Sequence, residues 1–96
     1  MELFIFARFH AREGKEADLA AVLGTQVPFT RTEPGCLMIE AYRSTRDPRL
    51  FFIYSRWTDE AAFEAHAELA NTVEFIARVE ALIDHPLDVT RSRPLG

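Results

Sequence analysis

The sequence predicts a single α+β domain over residues 1–96, with the ferredoxin-like element order βαββαβ and the helices on one face of a four-stranded antiparallel sheet. Aromatic and β-branched runs alternate with longer runs of helical composition in that order. The runs at residues 3–9 and 50–57 are the most apolar, as expected of the two central strands. The other two strand candidates carry Glu40, Asp88 and Thr90, which suits the sheet edges.

The first strand is predicted over Leu3–Phe9, an aromatic and aliphatic run that the residues HAREG interrupt. The first helix is predicted from Lys15 to about Arg31, because alanine and leucine are frequent there. Pro28 lies inside this range. Since proline lacks the amide hydrogen of an internal helical turn, we expect the helix to kink or to end its regular part near Val27.

The next two strands are predicted to form a hairpin. The turn EPG at residues 33–35 precedes a strand over Cys36–Arg43, and the loop STRDP at residues 44–48 leads to a strand over Leu50–Trp57. Strict alternation divides the side chains of the Cys36–Arg43 strand into two sets: Leu37, Ile39 and Ala41 on one face, and Cys36, Met38 and Tyr42 on the other.

The second helical layer is predicted to be broken in two. Thr58 is a favourable N-cap for a helix that runs to about His66 or Glu68. Asn71 and Glu74 resemble a capping box that opens another helix, and the apolar spacing over Val73–Ile83 supports it. A short fourth strand is predicted over Leu87–Arg91, with residues 91–96 as a C-terminal tail.

Composition excludes several functional classes. A net charge of −4 argues against nonspecific binding to nucleic acid, and no apolar run approaches the length of a membrane span. The lone cysteine, Cys36, cannot form an internal disulfide and is expected to be a small buried strand residue. The N-terminal apolar run is too short for a secretion signal. We therefore expect a cytoplasmic protein with no nucleic-acid or membrane partner.

The central strands are apolar on both faces, although helices cover only one face of such a sheet. A sheet with one face in water should alternate between apolar and polar side chains. Here the face away from the helices would expose six bulky side chains: Phe4, Phe6, Met38, Tyr42, Phe52 and Tyr54. An apolar patch of that size is typical of an interaction surface, and a second copy related by a two-fold axis is its simplest cover. We expect a homodimer.

Two segments carry a family resemblance over nearly the whole chain: EPGCLMIEAYRSTRDP, and FFIYSRWTDEAAFEAH followed by a helix. The sequence resembles the antibiotic biosynthesis monooxygenase family, whose members form dimeric α+β barrels. The resemblance implies a pocket between sheet and helices. It also implies oxidation of a small aromatic, quinol or anthrone-like compound by dioxygen without a flavin, heme or metal. In agreement, the chain has no glycine-rich phosphate loop and no cluster with metal-ligand spacing.

Candidate site residues follow from the resemblance and from strand and helix spacing. Trp57 matches the family's tryptophan at the strand end. Phe63 follows it by six positions, and His66 lies one helical turn beyond Phe63. His66 is the candidate catalytic residue, because a neutral imidazole can accept a proton near neutral pH. The predicted pocket wall comprises Ala7, Phe9, Ile53, Trp57 and Phe63. Trp57 could instead be a core anchor, and His66 a capping or hydrogen-bonding residue.

At several positions this chain lacks the residues that particular branches of the family carry, which limits the activities that the resemblance implies. Some polyketide-oxidising members carry Asn and Tyr where this chain has Ile53 and Phe63. The heme-degrading branch has Asn, Trp and His where an ungapped alignment places Ala7, His66 and roughly Ile76. A cofactor-independent monooxygenase remains the main prediction. The alternatives are a non-enzymatic ligand-binding or sensing module, and an isomerase or cyclase on the same scaffold.

Overall fold

The computed structural model describes all 96 residues, Met1–Gly96. It confirms the ferredoxin-like α+β prediction: the strands lie in the sheet order Cys36–Arg43, Leu50–Trp57, Leu3–His10 and Asp88–Ser92, and every neighbouring pair is antiparallel. The elements are β1 (Leu3–His10), α1 (Glu16–Thr30), β2 (Cys36–Arg43), β3 (Leu50–Trp57), α2 (Glu60–Glu68), α3 (Ala70–Glu80) and β4 (Asp88–Ser92). None of the helices combines the length and apolar character that a membrane crossing requires.

The core lies between the helices and one face of the two central strands. Ala7 lies opposite Ile53 and Phe9 opposite Phe51 in the β1–β3 ladder, and all four side chains are buried. Leu19 and Leu23 of α1 and Val79 of α3 pack onto this face, each almost fully removed from water. Burial of these apolar side chains is the main term that holds the helices on the sheet.

The opposite sheet face, which we call the open face, carries the six aromatic and methionine side chains predicted for it. Phe6, Tyr42 and Phe52 are exposed, with Phe6 at 53%, while Phe4, Met38 and Tyr54 are half-buried. Phe6 and Tyr54 face each other across the ladder with ring centroids 5.1 Å apart. The chain itself therefore leaves this face uncovered, and the register places Arg8, Glu40 and Arg56 among its apolar side chains.

Of the two outcomes predicted for Pro28, a kink or an end of the regular helix near Val27, the second is wrong, because α1 continues to Thr30. The proline deprives the carbonyl of Gly24 of its usual helical donor. Both Gly24 and Pro28 are exposed, so water can satisfy that carbonyl. Val27 and Thr30 are buried on the other side of the helix, and their packing holds the last turn in place.

Strict alternation in β2 also fails at its start. The register shifts between Cys36 and Met38, so that Cys36 lies opposite Trp57 and Met38 opposite Arg56. Leu37 is the extra residue and is 48% exposed, whereas Cys36 packs toward the helix side. The prediction that Cys36 shares a face with Met38 is therefore wrong, since one inserted residue reverses the alternation.

The helix starts differ from those predicted. Asp59, not Thr58, caps α2, and its Oδ1 accepts a hydrogen bond from the amide of Ala62 at 2.8 Å. The predicted capping box of α3 is absent, since that helix begins at Ala70 without a side-chain cap. The amide oxygen of Asn71 instead accepts a hydrogen bond from the side chain of Gln26 at 2.8 Å. Asn71 therefore contacts Gln26 of α1 instead of capping α3.

The bounds of the last helix and the last strand also differ from the prediction. α3 ends at Glu80 rather than Ile83, and β4 spans Asp88–Ser92. Arg91 and Ser92 therefore belong to the sheet and not to a tail. Ser92 donates its hydroxyl hydrogen to the carbonyl of Phe4 at 2.7 Å, which extends the β1–β4 pairing by a side-chain contact.

Candidate functional site

A cavity of about 230 Å³ lies between the sheet and the helices. Its wall includes five of the six residues predicted for the site: Ala7, Phe9, Ile53, Phe63 and His66. The alternation of β1 and β3 places the first three on the helix side, and α2 carries the last two one turn apart. Apolar side chains dominate the wall, so a bound molecule would have an apolar body.

Trp57 is the predicted site residue that does not line the cavity. It is fully buried, and its indole nitrogen donates to the hydroxyl of Ser55 at 3.0 Å. Its ring lies 4.7 Å from that of His66 and 5.6 Å from that of Phe63, measured between centroids. The structure thus places Trp57 behind the two cavity residues, where it supports them.

His66 is held by a carboxylate that sequence analysis assigned only to a turn. The Nδ1 atom of His66 lies 2.6 Å from Oε1 of Glu33, and the two side chains are only 13% and 7% exposed. A carboxylate oxygen beside Nδ1 favours the imidazole tautomer that carries its hydrogen on Nδ1, and that tautomer has a free lone pair on Nε2. A further contact joins Nδ1 to the hydroxyl of Thr72 at 3.4 Å. The arrangement is that of a general base oriented by an acid.

Glu33 itself is unusual for a carboxylate in a turn. Its second oxygen, Oε2, is buried and has no hydrogen-bond partner within the chain. Buried polar atoms are normally paired, so this side chain is held in place at some cost to stability. The only sequence signal for Glu33 was its position in the EPG segment, because its partner lies 33 residues further along.

Four buried polar residues of the cavity wall were also missed: Gln26, Thr30, Ser55 and Thr72. A signal for the two on α1 was present in the sequence. Leu19, Leu23, Gln26 and Thr30 follow the helical spacing of a buried stripe, and the last two are polar. Buried positions on a helix are normally apolar, so a polar residue at such a position is a candidate for a contact inside a cavity.

A second polar cluster lies at the far end of β1, outside the cavity. Oδ1 of Asp84 lies 2.7 Å from Nδ1 of both His10 and His85, and Nε2 of His10 lies 3.2 Å from Asp47. His10, the last residue of β1, is thus held by two carboxylates, whereas the side chain of His85 is 68% exposed. Arg49 donates to the other oxygen of Asp84 at 2.7 Å.

The ligand atoms of His10, Asp84 and His85 lie within 4.8 Å of one another, a proximity that their sequence spacing did not predict. Both ring nitrogens of His10 already contact carboxylates, Nδ1 that of Asp84 and Nε2 that of Asp47. The guanidinium of Arg49 already neutralises Asp84. The cluster is therefore best described as an ion-pair network that ties the 44–49 loop to the segment after α3.

Cys36 carries no reactive thiol. Burial raises the pKa of its side chain, and the nearby charge of Glu33 raises it further. Because the thiolate is the nucleophilic form, a raised pKa disfavours nucleophilic chemistry. Cys36 is only partly buried, not buried as predicted, and it packs against the core clusters that contain Ile39 and Trp57.

Comparison with protein families gives one match over most of the chain. Residues 3–83 match the model of the family described as antibiotic biosynthesis monooxygenase. A relative named "Putative monooxygenase YcnE" from Bacillus subtilis is 32% identical over 66 residues, which cover 69% of this chain and 70% of the relative. Another, named "Putative monooxygenase Rv0793" from Mycobacterium tuberculosis, is 29% identical over 95% of this chain and 89% of its own.

Solved structures agree with the sequence matches. The structure of Rv0793 from Mycobacterium tuberculosis superposes with a TM-score of 0.92 at 26% identity, over 100% of this chain and 97% of that one. The crystal structure of PA3566 from Pseudomonas aeruginosa gives a TM-score of 0.90 at 27% identity, over 99% and 95% of the two chains. The whole fold, and not only a core segment, is shared with these proteins.

Proposed function

Because this chain belongs to the antibiotic biosynthesis monooxygenase family, we propose that it is a monooxygenase that oxidises a small hydroxyaromatic compound, quinol- or anthrone-like. The substrate would bind in the cavity between sheet and helices. The observation that carries the proposal is the pair of His66 and Glu33 at the wall of a cavity that is otherwise mostly apolar.

The first step assigned to the protein is removal of a proton. Nε2 of His66 takes the hydrogen of the substrate hydroxyl, and the resulting imidazolium is stabilised by the adjacent carboxylate of Glu33. The rings of Trp57 and Phe63 pack against the imidazole and restrict its orientation. Deprotonation makes the aromatic ring electron-rich enough to react with dioxygen.

The ionised substrate then supplies all the electrons, so no cofactor is required. One oxygen atom enters the ring at a carbon that bears hydrogen, and the second leaves as water, which takes up the proton held by His66 and the hydrogen lost from that carbon. In an anthrone-like substrate a methylene becomes a carbonyl, a four-electron oxidation that balances the reduction of dioxygen. The apolar wall protects the charged intermediate from proton return by bulk water.

The direct test is oxygen uptake by His66→Ala and His66→Gln with an anthrone or a dihydroxyaromatic as substrate. A positioned histidine base contributes about 10²–10⁴-fold in rate, so both variants should lose about that factor in turnover. His66→Gln keeps hydrogen bonding without basicity and should be nearly as slow. His85→Gln, at an exposed position outside the cavity, is the matched control and should keep full activity. Full uptake by both His66 variants would contradict the proposal.

The same acid–base pair supports one alternative, an isomerase or cyclase. Such enzymes move a proton between two atoms of the substrate and consume no oxygen, and the pair of His66 and Glu33 would suffice for this. Turnover in an anaerobic cell would favour this alternative over the monooxygenase. Binding of the compound without turnover, whether oxygen is present or absent, would favour a ligand-binding module.

A further inference from the structure

The side chain of Gln26 has one hydrogen-bonding atom that the protein leaves free. Gln26 is 5% exposed and lies on the cavity wall. Its Nε2 group donates to Oδ1 of Asn71 at 2.8 Å and to Oγ1 of Thr30 at 3.3 Å, which uses both amide hydrogens. No donor of the chain reaches its Oε1. The amide is thus fixed by two other helical positions, with an acceptor available to a molecule in the cavity.

Packing alone does not account for a glutamine at this position. Residues 19, 23, 26 and 30 form the buried stripe of α1, and a leucine or methionine at position 26 would fill similar space without a buried amide. A buried polar group that is held rigidly and only partly paired is costly unless a ligand completes it. The contacts to Asn71 and Thr30 restrict the rotamer, so the acceptor is preorganised.

The size of the cavity limits the ligand. A buried apolar cavity of about 150 Å³ is known to hold one benzene molecule. The cavity here, at about 230 Å³, has room for one substituted ring or two fused rings. A molecule of that size can contact several parts of the wall at once, so a single ligand can carry one group for His66 and another for Gln26.

We propose that Gln26 is a specificity-determining residue: its Oε1 accepts a hydrogen bond from a second hydroxyl group of a one- or two-ring substrate, while His66 deprotonates the first. This inference rests on the proposed function, because it assigns the two polar contacts of the same bound molecule. Aromatic compounds with two hydroxyl groups should therefore bind better than those with one. The discrimination belongs to binding and does not require oxygen.

The test compares naphthalene-1,4-diol with 1-naphthol by calorimetric titration of the full chain in an oxygen-free cell. Loss of one neutral hydrogen bond corresponds to about a five- to tenfold change in affinity, so the wild-type protein should prefer the diol by about that factor. Gln26→Met, which keeps the side-chain length without the acceptor, should reduce the ratio to about one. Thr25→Ala, on the exposed side of the same helix, should leave the ratio unchanged.

A second variant protects the test against loss of folding. Asn71→Leu removes the acceptor that fixes the amide of Gln26 and should lower the preference for the diol even if Gln26→Met does not fold. Equal affinity of the wild-type protein for the two compounds, or a preference that survives in Gln26→Met, would overturn the inference.

Oxygen uptake in air then separates this inference from the proposed function. Preferential binding of the diol without uptake would uphold the role of Gln26 and reject the monooxygenase. Oxygen uptake without preferential binding of the diol would support the monooxygenase and reject the role of Gln26. Failure of both compounds to bind would reject both.

Discussion

At the scale of single residues, the carboxylate of Glu33 is the group through which His66 is positioned. Glu33 does not line the cavity and is assigned no contact with substrate. In Glu33→Gln the amide can present its NH₂ group to Nδ1, which would favour the tautomer whose Nε2 already carries a hydrogen. We expect turnover to fall by about 10²-fold, with little change in KM, because binding is apolar and the loss concerns the proton step.

The matched control for that prediction is Glu40→Gln. Glu40 pairs with Arg31 at the edge strand β2 and has no contact with His66. Its replacement should leave turnover unchanged. Equal losses in the two variants would mean that general surface charge, and not the contact with His66, underlies the effect.

Asp84 is the residue from which a pH dependence of stability follows. Hydrogen bonds from His10 and His85, together with Arg49, hold the pKa of this carboxyl well below its ordinary value of 3.8. A lowered pKa in the folded state adds stability that is complete above the unfolded value and is lost as the pH falls toward the folded one. We expect Asp84→Asn to be less stable than wild type at pH 7, with the difference shrinking below about pH 4.

Urea unfolding at pH 7 and pH 3 measures that difference directly. Asp88→Asn, at a nearby carboxylate with only a contact to Thr90, is the control and should show a smaller change. A constant difference between Asp84→Asn and wild type at both pH values would contradict the ion-pair description.

Among site residues, the sequence could predict those whose position depends on local geometry alone. Ala7, Phe9 and Ile53 follow from strand alternation, and Phe63 with His66 from helical spacing. Glu33 could not be predicted in the same way, since its contact with His66 exists only after the turn and α2 meet in three dimensions. Trp57 shares a face with the cavity residues, but only the packed structure shows that two rings lie between it and the ligand space.

At the scale of elements, the turn at Gly35 fixes how closely β2 approaches the helix α2. Gly35 has a φ of +84°, and an added Cβ would lie 2.5 Å from the Cβ of Ala62. Its carbonyl also accepts from the amide of Thr58 at 2.9 Å. Gly35→Ala should therefore combine backbone strain with a steric clash and destabilise the fold by about 2–4 kcal/mol.

Two other glycines separate these effects. Gly14 also has a positive φ but nothing within 4 Å of an added Cβ, so Gly14→Ala should cost only the strain, about 1 kcal/mol. Gly24 lies in α1 with open space around it, and Gly24→Ala should raise stability by about 0.5–1 kcal/mol. Thermal unfolding of the three variants measures the order of their stabilities. Equal losses of stability at positions 35 and 14 would mean that the contact with Ala62 does not contribute.

The order of elements could be predicted from the sequence, but several of their ends could not. Periodicity and composition distinguish strands from helices over eight or more residues, as in β1 and β3. Ends depend on tertiary partners. Asn71 contacts Gln26 instead of capping α3, and packing of Val27 and Thr30 carries α1 past Pro28. The bulge in β2 leaves no periodic signal, since a single inserted residue is too short to establish one.

At the scale of the whole molecule, the open face is the feature that a single chain does not explain. Phe4 and Phe6 each pack against Tyr54 on it, while buried residues of all three helices pack against the other side of the sheet. Large contiguous apolar patches on soluble proteins usually mark interaction surfaces. A second copy of the same face is self-complementary by symmetry and offers aromatic rings to aromatic rings.

We therefore predict that the protein is a homodimer joined through the open face. Sedimentation or light scattering at micromolar concentration should give twice the chain mass of 11.0 kDa. Phe6→Glu should yield a monomer, because a charge buried without a partner in the interface costs several kcal/mol. Val73→Glu is the matched control: Val73 is 56% exposed on α3, on the helix side of the molecule, and its replacement should leave the dimer intact. A monomeric wild-type protein, or a Phe6→Glu variant that stays dimeric, would show that the aromatic face has another role.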